Sequence, residues 1–269
     1  MKSCIINVAN GTCYPDGQDR MAKALDAVGC RCDRLFWTGS YPPGSPTHRE
    51  IPYAFKPYAF KAARDRGYDV AFWLDASIWP IKSVDYYFDL IRQDGHVLLT
   101  NVHNAWTVGQ WCSDAALKTL DICREDALQM LDLSTGVVGL DFRHPRSTQF
   151  FEQWLALADD GITFPGAWTN KNHEVSSDDR VLGHRHDQTA ASVISKRLGM
   201  RWLVGPETGL IYYDGRPLSE IDEHVRLLLQ RRYLPPLQFI AARLRRSLQK
   251  WLPAGRLSGR PKGIAAKQS

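Results

Sequence analysis

An aspartate and a serine stand two residues apart, directly after a short apolar run. The run Val-Ala-Phe-Trp-Leu covers residues 70–74, and Asp75-Ala76-Ser77 follows it. Such a run predicts a strand buried on both faces, and open α/β sheets bind ligands at the carboxyl ends of their strands. An aspartate there can hold a ribose hydroxyl, or a Mg²⁺ or Mn²⁺ ion bridging the phosphates of a nucleoside diphosphate. The alternative is that Asp75 only caps the turn after the strand, and the residues alone favour neither.

A second polar cluster stands at the start of a predicted helix. The run Gly183-His184-Arg185-His186-Asp187-Gln188 precedes a helical pattern over residues 189–198, which Gly199 ends. The helix dipole favours anions at this end. A histidine here could ligate the cation, and Asp187 with Gln188 could bind sugar hydroxyls. The alternative is a capped helix with solvated flanks, although such a cluster would be costly to bury unpaired.

Three tryptophans offer aromatic faces in turn-like, polar stretches of the chain. Trp106 and Trp111 lie in residues 101–113, and Trp168 lies in residues 164–177. An aromatic face can stack on a sugar ring, so these residues are predicted to bind an acceptor sugar. Packing in the core is the more frequent fate of a tryptophan and remains the alternative.

The elements that must position these residues alternate between strands and helices. Strands are predicted near residues 4–9, 34–37, 70–74, 97–99 and 136–140, and helices near 18–28, 53–66, 114–120, 124–131 and 147–158. This alternation predicts an α/β fold, a central and mostly parallel sheet flanked by helices. The chain has neither Gly-x-Gly-x-x-Gly nor the Gly-Lys-Ser/Thr ending of a P-loop, which removes the main support for dinucleotide binding and NTP hydrolysis.

Composition and charge divide the chain into a body and a basic tail. The 269 residues are 44% hydrophobic and 11% aromatic, which is typical of a globular protein. Residues 224–269 hold eleven Lys and Arg and no Asp or Glu, so the formal charge of +5 leaves −6 for the first 223 residues. The basic pI therefore says nothing about a nucleic-acid groove in the body. The amino-terminal apolar run is too short for a signal peptide, and we expect a cytosolic protein.

The tail itself predicts a basic amphipathic helix of the interfacial type. Its apolar face would hold Leu237, Ile240, Ala241, Leu244, Leu248 and Trp251, and its other side Arg243, Arg245, Arg246 and Lys250. Residues 255–269 read as a disordered cationic segment. Binding to an anionic membrane competes with packing on the body and, as the weakest alternative, with nucleic-acid contact.

Taken in order, four segments of the sequence resemble the GT-A-fold glycosyltransferases that use nucleotide sugars. They are residues 53–58, residues 67–77 with Asp75-Ala76-Ser77, residues 134–139 and His186-Asp187-Gln188, and the likeness spans roughly residues 3–215. In that superfamily an Asp-x-Asp motif closes the central strand and contacts the donor ribose and a metal on the diphosphate. Here Ser77 replaces the second aspartate, and its neutral hydroxyl is a weaker ligand for Mn²⁺ or Mg²⁺ than a carboxylate.

The resemblance implies a role for each matching residue. Asp187 and Gln188 would be catalytic, beside the donor sugar. The donor would be bound by Asp75, Ser77, Lys56, Arg20 and Gly136, and a metal by Asp75 with His184 or His186 as replacement ligands.

Sugar transfer requires stabilisation of a nucleoside-diphosphate leaving group and a carboxylate near the anomeric carbon. Asp187 is the predicted carboxylate, with Asp141, Asp178 and Asp179 as alternatives. Inversion and retention both stay open.

The predicted organisation is a GT-A-like catalytic domain over residues 1–223, a basic helical extension over 224–252 and a disordered tail over 253–269. The predicted function is transfer of a sugar from a nucleoside-diphosphate sugar to a glycan or lipid-linked glycan at the cytosolic membrane face. Two alternatives remain: a glycosyltransferase that modifies nucleic acid, and a non-catalytic module that binds sugar nucleotides or glycans.

Overall fold

The computed structural model describes residues 1–101 and 105–230. Its strands are β1 (Ser3–Ala9), β2 (Asp33–Thr38), β3 (Val70–Leu74), β4 (Ile78–Pro80), β5 (His96–Thr100), β6 (Leu133–Asp141), β7 (Leu210–Tyr212) and β8 (Leu227–Leu229). Its α-helices are α1 (Tyr14–Ala27), α2 (Phe55–Asp65), α3 (Asp85–Asp94), α4 (Asp114–Thr119), α5 (Arg124–Leu128), α6 (Pro145–Asp159) and α7 (Asp187–Arg197). The predicted helix over residues 237–251 and the tail lie outside the described residues.

A five-stranded sheet in the order β2-β1-β3-β6-β5 forms the centre of the fold. Strand β1 pairs in parallel with β2 and β3, and β6 runs antiparallel to both β3 and β5. Four of the five strands therefore point the same way, and the predicted α/β class with a mostly parallel sheet flanked by helices is confirmed.

Helices cover both faces of this sheet, and β3 shows why its sequence is apolar throughout. Ala71 and Trp73 belong to the core cluster that includes residues of α2, α6 and α7. Val70, Phe72 and Leu74 point the other way, into the cluster that includes residues of α1 and α3. Because successive side chains of a strand alternate between its faces, a strand covered on both sides must be apolar at every position.

The first helix begins earlier than predicted, at Tyr14 instead of residue 18. Pro15 stands in its first turn, where the missing N–H costs nothing because that group has no helical partner. A glycine inside the helix serves close packing: a Cβ on Gly17 would lie 2.3 Å from the carbonyl oxygen of Ala76. Helix α1 therefore rests directly on the segment Asp75-Ala76-Ser77.

A small second sheet includes a strand beyond residue 223, the predicted end of the catalytic domain. Strand β8 pairs antiparallel with β4, with Trp79 opposite Leu228, and in parallel with β7. Leu227 is fully buried in the same core cluster as Phe72. The body therefore continues at least to residue 229, and the expected helical extension from residue 224 does not hold there, because Leu227–Leu229 is a strand. None of the helices within the described residues is long and apolar enough to cross a bilayer.

Candidate active site

A cleft of about 940 Å³ opens at the carboxyl ends of β1 and β3. The start of β6 also reaches it, because β6 runs antiparallel to β3 and Val137 lies opposite Leu74. Eight of the predicted site residues line this cleft: Lys56, Asp75, Ser77, Trp106, Gly136, Trp168, Asp187 and Gln188. The structure thus brings together residues that lie up to 132 positions apart in the sequence.

A buried lysine connects the two predicted carboxylates at the floor of the cleft. The Nζ atom of Lys56 lies 3.2 Å from Oδ1 of Asp75 and 3.2 Å from Oδ2 of Asp187. It also donates to the carbonyl oxygen of Thr135 at 3.0 Å. The Lys56 side chain is only 3% exposed. Lys56 was predicted to contact a donor directly, but its ammonium is instead held by the protein's own carboxylates.

In the triad of Asp75, Lys56 and Asp187, burial and the neighbouring charges shift the pKa values in opposite directions. Burial raises the pKa of Asp187, and the ammonium of Lys56 opposes that shift. Burial also disfavours the charge on Lys56, but the carboxylates of Asp187 and Asp75 outweigh it and raise the pKa of Lys56. Lys56 is therefore a permanent cation between two acids at neutral pH.

Asp75 is held at the end of β3 while part of its carboxylate stays open to the cleft. Its backbone N–H donates to the carbonyl oxygen of Gly136 at 2.8 Å, and its Oδ1 accepts from Nε1 of Trp73 at 2.8 Å. A Cβ on Gly136 would lie 3.3 Å from Oδ2 of Asp75. The glycine thus leaves room for this carboxylate, whose side chain is 33% exposed.

Asp187 and Gln188 form the first turn of α7 and face the cleft from the side opposite α1. Asp187 is almost fully buried. The side-chain amide of Gln188 donates to the carboxyl group of Asp132, a buried residue just before β6. The sequence alone gives no reason to single out Asp132, because a lone aspartate before a strand carries no motif.

The three predicted acceptor-binding tryptophans meet around one guanidinium group. The Cζ atom of Arg185 lies 4.4, 3.9 and 4.5 Å from the ring centroids of Trp106, Trp111 and Trp168. Trp168 is 44% exposed, whereas Trp111 is 8% exposed and does not line the cleft. Trp111 therefore takes the core alternative, and Arg185 with Trp106 and Trp168 forms the wall of the cleft. Stacking of guanidinium on indole is favourable, more so when desolvated.

The two predicted metal-ligating histidines lie beneath the cleft and do not open into it. The Nε2 atom of His184 donates to the carbonyl oxygen of Thr163 at 2.8 Å, and its Nδ1 accepts from the N–H of Ser113 at 3.2 Å. Burial lowers the pKa of His184 to about 4. His184 is thus a neutral core residue with both ring nitrogens engaged, and its predicted role as a metal ligand is corrected.

His186 is also fully buried and packs between aromatic rings. Its ring stacks on Tyr53 at 5.5 Å and meets Trp168 edge-on at 5.0 Å, while its Nδ1 donates to the carbonyl oxygen of Phe164. It has a positive φ of 52° just before α7, a strained conformation for a residue other than glycine. Burial lowers the pKa of His186 to about 3. His186 therefore packs in the core at the turn into Asp187, and it does not line the cleft.

Other predicted residues also lie outside the cleft. Arg20 stacks on Trp79 and donates to Gln230 at 2.9 Å, so it links α1 to the small sheet. Asp141 pairs with Arg143 at the far end of β6, the edge opposite the cleft. Asp178 pairs with Arg180, and Asp179 is exposed. None of these three aspartates lines the cleft, which leaves Asp187 as the predicted carboxylate.

The residues at the cleft do not build a metal centre by themselves. Within residues 1–101 and 105–230, no group of three or more His, Cys, Asp or Glu could hold a metal ion. The position between the carboxylates of Asp75 and Asp187 is taken by the ammonium of Lys56. Ser77, next to Asp75, offers only a neutral hydroxyl. A protein-built Mn²⁺ or Mg²⁺ site therefore does not fit this donor set.

Comparisons with known proteins found likenesses among solved structures only. No protein-family model and no curated protein sequence matches the chain. The chain is similar, at 12% identity and a TM-score of 0.49, to a glycosyltransferase involved in glycosylation of the major capsid of PBCV-1, over 85% of this chain and 94% of that one.

Two further likenesses have the same identity of 12%. Mouse xyloside xylosyltransferase 1 has a TM-score of 0.48 and coverage of 87% and 100%. The galactosyltransferase LgtC, solved with donor and acceptor sugar analogues, has a TM-score of 0.45 and coverage of 94% and 97%. Because these TM-scores are below 0.5, a function for this chain has to rest on the geometry of the cleft.

Proposed function

We propose that this chain is a glycosyltransferase that moves a sugar from a nucleoside-diphosphate sugar to a glycan acceptor. The observation that carries the proposal is the pair of carboxylates, Asp75 and Asp187, on either side of Lys56 at the floor of one large cleft. One carboxylate is partly open at the end of a central strand, and the other is buried at a helix start. The partly exposed carboxylate can bind a polar donor, and the buried carboxylate can stabilise charge at the reacting carbon, which are the two requirements of sugar transfer.

Each cleft residue then has a distinct task. Asp75 accepts a hydrogen bond from a hydroxyl of the donor's ribose, and the hydroxyl of Ser77 donates a hydrogen bond to the diphosphate. Asp187 supplies negative charge near the anomeric carbon, and Lys56 keeps Asp187 and Asp75 in place. Arg49 lines the cleft as an exposed cation with no ion-pair partner among the described residues, so it can face the leaving diphosphate.

The acceptor sugar would lie against Trp106 and Trp168. These rings line the cleft on the side of Arg185, and an exposed indole face can stack on a sugar ring. Because the guanidinium group already occupies one side of the aromatic wall, a sugar would use the outer face of Trp168.

Titration calorimetry with nucleoside diphosphates, with and without Mn²⁺, followed by a donor-hydrolysis assay, tests the proposal. The variant Asp75→Ala should stay folded and lose most of its donor affinity. Asp69→Ala is a matched control, since Asp69 stands at the opposite end of the same strand and bonds Lys2. Binding without turnover of any sugar donor would favour a non-catalytic module, and unchanged affinity in Asp75→Ala would contradict the site.

We also propose that the acceptor is lipid-linked and that the protein acts at the cytosolic face of a membrane. Both statements rest on the sequence of residues 235–252. Each Lys or Arg near an anionic bilayer contributes about 1 kcal/mol, and apolar burial adds to this. Truncation after Leu234 should abolish sedimentation with anionic liposomes and spare donor hydrolysis. Steeply salt-dependent binding to DNA or RNA without vesicle binding would instead favour a nucleic-acid acceptor.

A further inference from the structure

Asp132 is a buried acid that the proposed mechanism does not use. It stands just before β6, is 1% exposed and does not line the cleft. Its backbone is held at both ends: its N–H donates to the carbonyl oxygen of Trp106 at 3.0 Å, and its carbonyl oxygen accepts from Asn101 at 3.1 Å. The position of its carboxyl group is therefore set by the surrounding fold.

Both carboxyl oxygens of Asp132 bind side chains from one face of α7. Oδ1 accepts from the hydroxyl of Ser192 at 3.0 Å, and Oδ2 accepts from Nε2 of Gln188. Gln188 and Ser192 are four residues apart, so they share a helix face. Ser192 is itself anchored, because its Oγ accepts from the N–H of Leu133 at 2.8 Å.

This contact decides which end of the Gln188 amide is turned inward. A side-chain amide has a donating NH₂ and an accepting oxygen of almost the same shape, so its orientation follows from its partners. An unprotonated carboxyl oxygen can only accept, and it therefore requires the NH₂ of Gln188. Gln188 lines the cleft, and its Oε1 has no protein partner in the part of the chain that the structure describes.

The orientation does not depend on the charge of Asp132. Burial raises the pKa of Asp132 to about 7, and the hydrogen bonds from Gln188 and Ser192 oppose that shift. A proton on Oδ1 can be donated to Oγ of Ser192, whose own single proton then turns to the carbonyl oxygen of Gln188, 2.7 Å away. Oδ2 remains an acceptor toward Gln188 in both states.

We propose that Asp132 is a positioning residue that keeps the NH₂ of Gln188 inward, so that Gln188 offers its carbonyl oxygen to a sugar hydroxyl in the cleft. The ligand group would be a hydroxyl that donates a hydrogen bond, on the sugar being transferred or on the acceptor. This inference rests on the proposed function for its effect on turnover.

A double-mutant cycle with Asp132→Leu and Gln188→Ala tests the proposal by activity. Each single variant should lower kcat by about 10²-fold, the size of loss that a misplaced group can cause. The double variant should be no slower than Gln188→Ala, because Asp132 acts only through Gln188. Asp132→Asn should retain most activity, since its oxygen can accept from Gln188 and its NH₂ can donate to Ser192. Full multiplication of the two losses in the double variant would overturn the proposal.

Ser195→Ala is the matched control for a merely structural effect. Ser195 is a buried hydroxyl on the same helix, and it accepts from Nε1 of Trp202 at 3.1 Å, away from the cleft. We expect a lower melting temperature and an unchanged kcat. An equal loss of kcat in Ser195→Ala and Asp132→Leu would show that disturbance of α7, and not the Gln188 contact, explains the effect.

A measurement without turnover separates this inference from the proposed function. The side-chain NH₂ signals of Gln188 in an NMR spectrum can be assigned by their absence in Gln188→Ala. In the unmodified protein one of these protons should be shifted by its bond to Asp132, and Asp132→Leu should abolish that shift. If no donor is turned over, the proposed function fails, and unchanged signals in Asp132→Leu would overturn the inference on their own.

Discussion

Replacement of Lys56 by methionine tests whether one buried ammonium holds the two carboxylates of the cleft. Methionine is an adaptable side chain that fills a similar space without charge. Each contact of Nζ, at 3.2 Å, is worth about 5 kcal/mol at an effective dielectric constant near 20. Desolvation of the ammonium cancels much of this gain, and removal of one partner from a buried pair costs about 3–5 kcal/mol. We therefore expect Lys56→Met to lower the free energy of unfolding by about 3–5 kcal/mol near pH 7.

The loss should depend on pH, because Asp187 can escape an unpaired charge by binding a proton. Burial already raises the pKa of Asp187, and Lys56 opposes that shift, so the pKa should be higher still in the variant. A carboxyl group with a higher pKa in the folded than in the unfolded state destabilises the fold as pH rises, by up to about 1.4 kcal/mol per pH unit. Lys56→Met should thus lose less stability at pH 5 than at pH 8.

Urea-induced unfolding at pH 5 and pH 8 measures both effects. Lys61→Met is the matched control on the same helix, since Lys61 pairs with Asp65 at 2.6 Å on the surface, where such a pair contributes about 0.3–0.5 kcal/mol. The reasoning would be refuted by a loss below about 1 kcal/mol at pH 8, or by losses that are equal at the two pH values.

Two further predictions concern the residues around this triad. Asp187→Asn keeps the size of the side chain and removes its charge, so kcat in the donor-hydrolysis assay should fall by about 10²- to 10⁴-fold while donor affinity changes far less. A change in kcat below tenfold would mean that the charge of Asp187 does not act on the reacting carbon. Gly136→Ala places a methyl group 3.3 Å from Oδ2 of Asp75 and 3.2 Å from Cδ1 of Ile78, so calorimetry should show donor affinity weakened by about tenfold, or 1.4 kcal/mol. Unchanged affinity would mean that the donor does not contact this carboxylate.

The amino-acid pattern predicts most of the central sheet, because a buried strand appears in the sequence as a short run of apolar residues. The run at residues 70–74 is apolar at every position, and it is the strand covered on both faces. Boundaries were less well predicted where a special residue decides them. Helix α1 begins four residues before the predicted start, with Pro15 in its first turn. Leu227–Leu229 forms a strand where a helical extension is predicted, because it pairs with β4 and β7.

The positions of two candidate residues are predictable because each residue stands at the boundary of a strand or a helix. Asp75 follows a buried strand and Asp187 begins a helix, so the local pattern is enough to place each residue at the end of an element. The role of a histidine depends on the partners of its ring nitrogens, so a metal-ligand role for His184 could not be judged from the sequence. Both nitrogens of His184 are engaged by Thr163 and Ser113, which are distant from it in the sequence.

The sequence by itself determined the class of fold, the strand that carries Asp75 and the helix that begins at Asp187. Only the tertiary structure decided that Lys56 is a buried counter-ion and that Asp132 orients Gln188. Lys56 and Asp187 are 131 positions apart in the sequence, and Asp132 and Gln188 are 56 apart. The physical reason is that local sequence sets backbone preference and burial pattern, whereas the charge state and orientation of a buried polar group follow from partners that only the packed chain brings within hydrogen-bonding distance.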